Sequence, residues 1–171
     1  ELYGQIRDFL REEMPKDIGK LRLHEDCSLS LNALYRLEKG LNDALNTKVW
    51  MKSGAYLVIE PTEALTVIDV NTGKYTGGRD KQETIRKINL EAAREIARQL
   101  RLRNLSGIIL VDFVDLERKE AQEELLLYMR ELLKKDPLKA AAVDMTELGL
   151  MEITRKKQRK TLAEQARECR I

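Results

Sequence analysis

Two short apolar runs that each end in an acid, separated by one long amphipathic segment, constrain this chain more than any other feature. The runs are Val67-Ile68-Asp69 and Ile109-Leu110-Val111-Asp112. Between them Ile85, Ile88, Ala92, Ile96 and Leu100 recur at helical spacing. Strand, helix and strand in that order form a crossover unit, whose strands run parallel and whose connection is right-handed. A carboxylate at the end of a buried strand is costly unless it is paired or holds a metal. Two such carboxylates on strands brought side by side suggest a site for a divalent cation.

The flanking segments fill in an α/β fold with a mixed sheet: an antiparallel meander followed by βαβ crossover units, with helices packed on the sheet. Residues 2–14 read as a helix ended by Pro15, 20–24 as a short strand, and 31–45 as one helix with Leu34, Leu37, Leu41 and Leu45 on a face. The period then changes to that of strands over 48–51, 55–60 and 64–71, punctuated by Ser53-Gly54 and Pro61-Thr62. Asp80, with Glu83 three residues on, is placed to cap the central helix. A strand over 108–113, a helix over 117–135 ended by Pro137, strands over 140–143 and 148–153, and a charged helix over 156–168 complete the pattern. Strand and helix alternate from residue 64 onward, which predicts at least two crossover units.

Composition excludes several classes. At 171 residues with 43% hydrophobic content the chain can bury a real core. No apolar run approaches the ~20 residues of a membrane span, and no signal peptide is visible. Cys27 and Cys169 are too few and too far apart for a disulfide framework, so a cytoplasmic, reducing setting is expected. His24 is the only histidine and has no catalytic partner nearby, which argues against Ser–His–Asp or Cys–His chemistry. Net charge is only +2, so basic clusters matter more than the total. The cluster Arg155, Lys156, Lys157, Arg159 and Lys160 reads either as a phosphate contact or as a solvated helix face. Trp50, Tyr56 and Tyr75 are scattered and form no stacking platform in the sequence.

The chemistry concentrates on a few residues. Asp69 and Asn71, two apart on a strand, share a face. If Asp112 lies on the neighbouring strand, the two carboxylates repel, and a cation between them relieves the repulsion. Mg²⁺ suits such a pair, because it takes one or two carboxylates and keeps waters for phosphate oxygens. Asn71 is placed to fix the rotamer of Asp69. Each acid equally suits a turn or a helix cap, and spacing does not choose between these readings. Asp115 is expected to cap the second helix. The Gly-rich turn over 72–78 matches no nucleotide-binding fingerprint. It is either a flexible connection or a close approach to phosphate with Lys74 and Arg79 in reach.

Taken as motifs, EALTVIDVNTGKYTG, NLEAAREIARQLRLRNLSGIILVDFVDL and LGLMEITRKK closely resemble the catalytic region of the ribonuclease E/G family. The resemblance spans about residues 47–160. It implies a partial ribonuclease H-like subdomain over 1–45, mainly helical here, and a deoxyribonuclease I-like catalytic subdomain over 46–171. It implies an endoribonuclease for single-stranded RNA, in which Asp69 and Asp112 hold a Mg²⁺ that activates a water, Asn71 supports Asp69, and the products carry 5′-phosphate and 3′-hydroxyl ends. Lys74, Arg79, Arg155 and Lys156 are the candidate RNA contacts. The family's RNA-binding OB fold and 5′-monophosphate pocket are expected outside these residues, so weak or no processive cleavage is expected of this chain alone. A homo-oligomer is expected of the full-length parent. Glu147 stands where family members carry a basic residue before the LGL motif. Cys169 resembles the start of the family's zinc link, but with no second cysteine after it a Zn²⁺ link is not expected. The competing readings are a non-catalytic RNA-binding scaffold and a nuclease acting on DNA.

Overall fold

The computed structural model describes residues 1–73 and 81–169 and separates into two compact units, Glu1–Leu41 and Asn42–Ile171. The first unit holds helix α1 (Leu2–Glu13), a 3₁₀ turn (Pro15–Lys20) and helix α2 (Leu31–Tyr35). Helix α3 (Leu37–Leu45) runs from it into the second unit. None of residues 1–41 is buried.

Two predictions for this segment are corrected. The strand expected over 20–24 does not form, because residues 21–26 have no ladder partner among the described residues. The single helix expected over 31–45 is broken at Arg36, which takes a left-handed conformation with φ 51°. Local side-chain bonds support the break. Asn32 Nδ2 donates to Glu38 Oε1 at 2.6 Å, and the Glu38 amide donates to Asn32 Oδ1 at 3.1 Å. Asparagine competes well with the helical backbone in this way.

The second unit is built on a six-stranded sheet in the order β1-β2-β3-β4-β6-β5. Its strands are β1 (Lys48–Trp50), β2 (Tyr56–Pro61), β3 (Leu65–Asn71), β4 (Gly107–Asp112), β5 (Ala140–Met145) and β6 (Leu150–Arg155). Strands β1, β2 and β3 form the expected antiparallel meander. Helix α4 (Lys81–Leu102) carries the chain to β4, which pairs parallel to β3. Asn104 and Gly107, at φ 50° and 87°, make the sharp exit from α4 into β4. The Asp80 cap expected for α4 lies outside the described residues.

The second crossover takes a different form from the expected one. Helix α5 (Lys119–Leu133) leads to β5 at the sheet edge, and β6 then returns between β5 and β4, antiparallel to both. Strands β4 and β5 therefore run in the same direction without being neighbours. A register shift between Ala142 and Met145 frees carbonyls on the edge strand, and Arg130 of α5 donates to the carbonyls of Ala142 and Val143. The last helix, α6, covers only Leu162–Glu168. A capping box between Thr161 and Glu164 sets its start, and the preceding basic residues lie outside any helix.

Both α4 and α5 pack on one face of the sheet. Leu57, Ile59, Ile68, Ile109, Val111, Met151 and Ile153 point into that core with Ile88, Ile96, Leu100, Leu125 and Met129. The alternate residues of the same strands face the other way and are half-buried or exposed; Ile108 is 53% exposed. The strands are thus buried on one face only, as the period-two alternation allows.

Candidate active site

Asp69 and Asp112 are direct register partners on the parallel strands β3 and β4. Neighbouring strands lie about 4.8 Å apart, and register partners point to the same face. The fold therefore places both carboxylates side by side. They lie on the face opposite α4 and α5, with Asp69 half-buried and Asp112 exposed. This revises the premise drawn from the sequence: the acids do not end strands buried on both sides, and no full desolvation cost attaches to them.

Asn71 Nδ2 donates to Asp69 Oδ2 at 2.6 Å, which fixes that carboxylate and leaves Oδ1 to other partners. The Asp112 carboxyl is pushed above the usual aspartate range, first by burial and then by the negative charges of Asp69 and Asp115. A cation at the pair removes the second of these causes. Among the described residues no cluster of three or more His, Cys, Asp or Glu side chains is placed to hold a metal. Two carboxylate donors suffice for Mg²⁺, which takes one or two carboxylates and keeps most of its waters.

A buried asparagine that the sequence reading missed holds the loop behind Asp112. Asn89 of α4 is fully buried; its Nδ2 donates to the Val114 carbonyl at 2.7 Å, and its Oδ1 accepts from the Val114 amide at 3.1 Å. The available signal was a polar residue inside the apolar stripe formed by Ile85, Ile88 and Ala92. Asp115 lies in this loop and does not cap α5, whose N-cap is Arg118. On the other side of the site, Gly73 has φ 64°, and a Cβ there would meet the Gly54 carbonyl oxygen at 2.4 Å. The turn leaving β3 thus needs glycine at that position.

The candidate RNA contacts fare differently. Lys74 and Arg79 lie outside the described residues. Arg155 is only 5% exposed, and its guanidinium turns inward. It donates from Nε to Asp136 Oδ2 at 2.9 Å, from Nη2 to Asp136 Oδ1 at 3.2 Å, and from Nη1 to the Leu105 carbonyl at 2.9 Å. Arg155 is therefore corrected from an RNA contact to an internal cross-link. Lys156 is exposed, but it follows the end of β6 that pairs with Gly107, whereas Asp112 pairs with Leu150. Five residues of strand, roughly 17 Å, separate those ends. The basic run is not brought to the carboxylates.

A cavity of about 450 Å³ also lies at the far ends of these strands, lined by Leu65, Thr66, Leu105, Ser106, Arg103 and Leu162 among others. It is distinct from the carboxylate site.

Nearer the carboxylates, the structure assembles aromatic residues that the sequence left scattered. Trp50 and Tyr56 are register partners on β1 and β2, with ring centroids 5.0 Å apart. The Lys48 ammonium sits 4.3 Å from the centroid of the Trp50 ring and 3.5 Å from that of Tyr56. Tyr75 lies outside the described residues.

Fold and site together define a two-layer α/β domain with a carboxylate pair on the sheet face opposite its helices. Comparison with known proteins agrees with the motifs. The family profile described as the Ribonuclease E/G family matches residues 1–158. Ribonuclease G of Haemophilus influenzae is 41% identical over 160 residues, covering 94% of this chain and 32% of that protein. Ribonuclease E of Synechocystis sp. is 45% identical over 142 residues, covering 81% of this chain and 21% of that protein. Ribonuclease G of Escherichia coli strain K12 is 39% identical over 160 residues. The chain belongs to the ribonuclease E/G family, and it spans about a third of the length of the ribonuclease G relatives it matches.

Proposed function

We propose that this chain carries the catalytic centre of an endoribonuclease that hydrolyses single-stranded RNA with a divalent cation, Mg²⁺, at Asp69 and Asp112. The observation that carries the reading is the register of Asp69 against Asp112 on parallel neighbouring strands. The Ribonuclease names of the relatives support RNA as the substrate class.

The chain's own residues would share the work as follows. Asp69 and Asp112 supply two oxygen donors on one face and the negative charge that retains a cation. Asn71 holds Asp69 in one rotamer, so that its free oxygen keeps a fixed direction. Asn89 holds the backbone two residues beyond Asp112. Mg²⁺, when bound, supplies charge neutralisation at the phosphodiester and lowers the pKa of a water, which removes the need for a nucleophilic side chain. The pair rises from the sheet face opposite α4 and α5, with Asp112 exposed to an incoming strand.

Single-turnover assays with the chain in excess over labelled RNA and DNA oligomers of the same sequence test this. Weak, non-processive, Mg²⁺-dependent cleavage of RNA giving 5′-phosphate ends, lost in Asp69→Asn and Asp112→Asn, is expected. Equal cleavage by both variants would overturn the metal-pair reading, and preference for the DNA oligomer would overturn the substrate.

A further inference from the structure

We infer that Trp50, Tyr56 and Lys48 form a base-stacking subsite that grips a nucleotide beside the scissile phosphate; the inference rests on the carboxylate pair being the cleavage centre. Trp50 pairs with Tyr56, and Tyr56 with Asn71; Lys48 pairs with Val58, Val58 with Asp69, and Asp69 with Asp112. Partners across a sheet share a face, and so do residues two apart along a strand. Lys48, Trp50, Tyr56, Asp69, Asn71 and Asp112 therefore all rise from one face. Lys48 stands two strands, about 10 Å, from Asp69 in the same row, and the aromatic pair occupies the next row, level with Asn71.

The chemistry of the patch fits a nucleotide. Trp50 is 63% exposed, an unusual position for the largest apolar side chain. Tyr56 is tilted at 55° to it rather than stacked face to face, so that much of the indole stays open to solvent. Lys48 lies over both rings and has no ion-pair partner among the described residues, so its charge remains available to a phosphate. Aromatic faces that take bases, with a cation that follows the backbone, are the two components of single-strand recognition. The inward-facing neighbour Val49 packs against the core and anchors this short edge strand. An extended single strand lying across β1, β2 and β3 would place a base on the rings and a neighbouring phosphate at Asp69 and Asp112.

Trp50 is the only tryptophan of the chain, so its fluorescence reports on this patch alone. The test titrates the Asp112→Asn chain with single-stranded oligoadenylate and oligouridylate of roughly ten nucleotides, a length that spans such a surface. Saturable quenching of Trp50 is expected, stronger with adenine. Anisotropy of end-labelled RNA should show Kd raised roughly 5- to 150-fold in Trp50→Ala and Tyr56→Ala, with Trp50→Phe restoring most of the loss. Unquenched Trp50 with unchanged Kd in Trp50→Ala, while RNA still binds, would overturn the subsite and leave the cleavage centre standing. Normal cleavage by Asp112→Asn would overturn the centre instead. No RNA binding at all would overturn the subsite.

Discussion

Replacing Arg155 by alanine should destabilise the second unit by about 3–5 kcal/mol, the usual consequence of removing one partner from a buried ion pair. The side chains of Arg155 and Asp136 are 3% and 0% exposed, and two guanidinium nitrogens reach the carboxylate. Alanine would leave Asp136 buried with the Leu138 amide as its remaining donor among the described residues, and the Leu105 carbonyl without its guanidinium partner. For a chain of this size about 2–4 °C of Tm accompanies each kcal/mol, so Tm should fall by roughly 6–20 °C. Urea unfolding followed by circular dichroism should show a lower midpoint with an unchanged slope. Pairing Arg155→Met with Asp136→Leu should recover most of the loss, because the desolvation of both charges disappears together. The pair also sets a pH dependence. Burial pushes Asp136 up, but its bonds to Arg155 and the Leu138 amide outweigh this and hold it below the usual aspartate range. A depressed carboxyl contributes stability that is complete above the unfolded aspartate pKa of about 3.9 and is lost as pH falls below it. Wild type should therefore lose stability on acidification in that window more steeply than the Met–Leu double variant. An Arg155→Ala variant within about 1 kcal/mol of wild type would refute the internal cross-link and reopen Arg155 as a surface contact.

Three further outcomes are expected. Asn89→Ala should lower stability by about 1–3 kcal/mol, since it strands the Val114 amide and carbonyl, and should slow RNA cleavage while the protein remains folded; a thermal melt and a single-turnover assay check both. Gly73→Ala should be destabilised by about 1–3 kcal/mol, because the left-handed backbone and the Gly54 carbonyl both oppose a Cβ, and urea unfolding reads this directly. Asn71→Ala should leave stability nearly unchanged but weaken divalent-cation affinity about 10- to 100-fold, measured by calorimetric titration.

The sequence revealed those parts of the molecule in which local pattern and burial agree. The meander, α4 and the parallel β3–β4 pair follow from alternation and helical spacing, and with them the juxtaposition of Asp69, Asn71 and Asp112. Where β6 inserts was not legible, because a hairpin returning between β4 and β5 has the same local pattern as a strand added outside. Arg155 looked like one of five basic surface residues; only the pairing of β6 with β4 turns it toward Asp136. The identity of its partner is a long-range fact that composition does not carry. The aromatic patch was hidden for the same reason. Trp50 and Tyr56 stand six positions apart in the chain, and a hairpin register makes them neighbours. The break at Arg36 turns on a side-chain bond between Asn32 and Glu38, which competes with a helical periodicity that favours continuity.

Mn²⁺ binding followed by electron paramagnetic resonance tests most directly whether Asp69 and Asp112 form a divalent-cation site, with no dependence on RNA or turnover. One bound Mn²⁺ per chain is expected, displaced by Mg²⁺ and lost in both Asp69→Asn and Asp112→Asn. Mn²⁺ bound equally well by the two variants would contradict it.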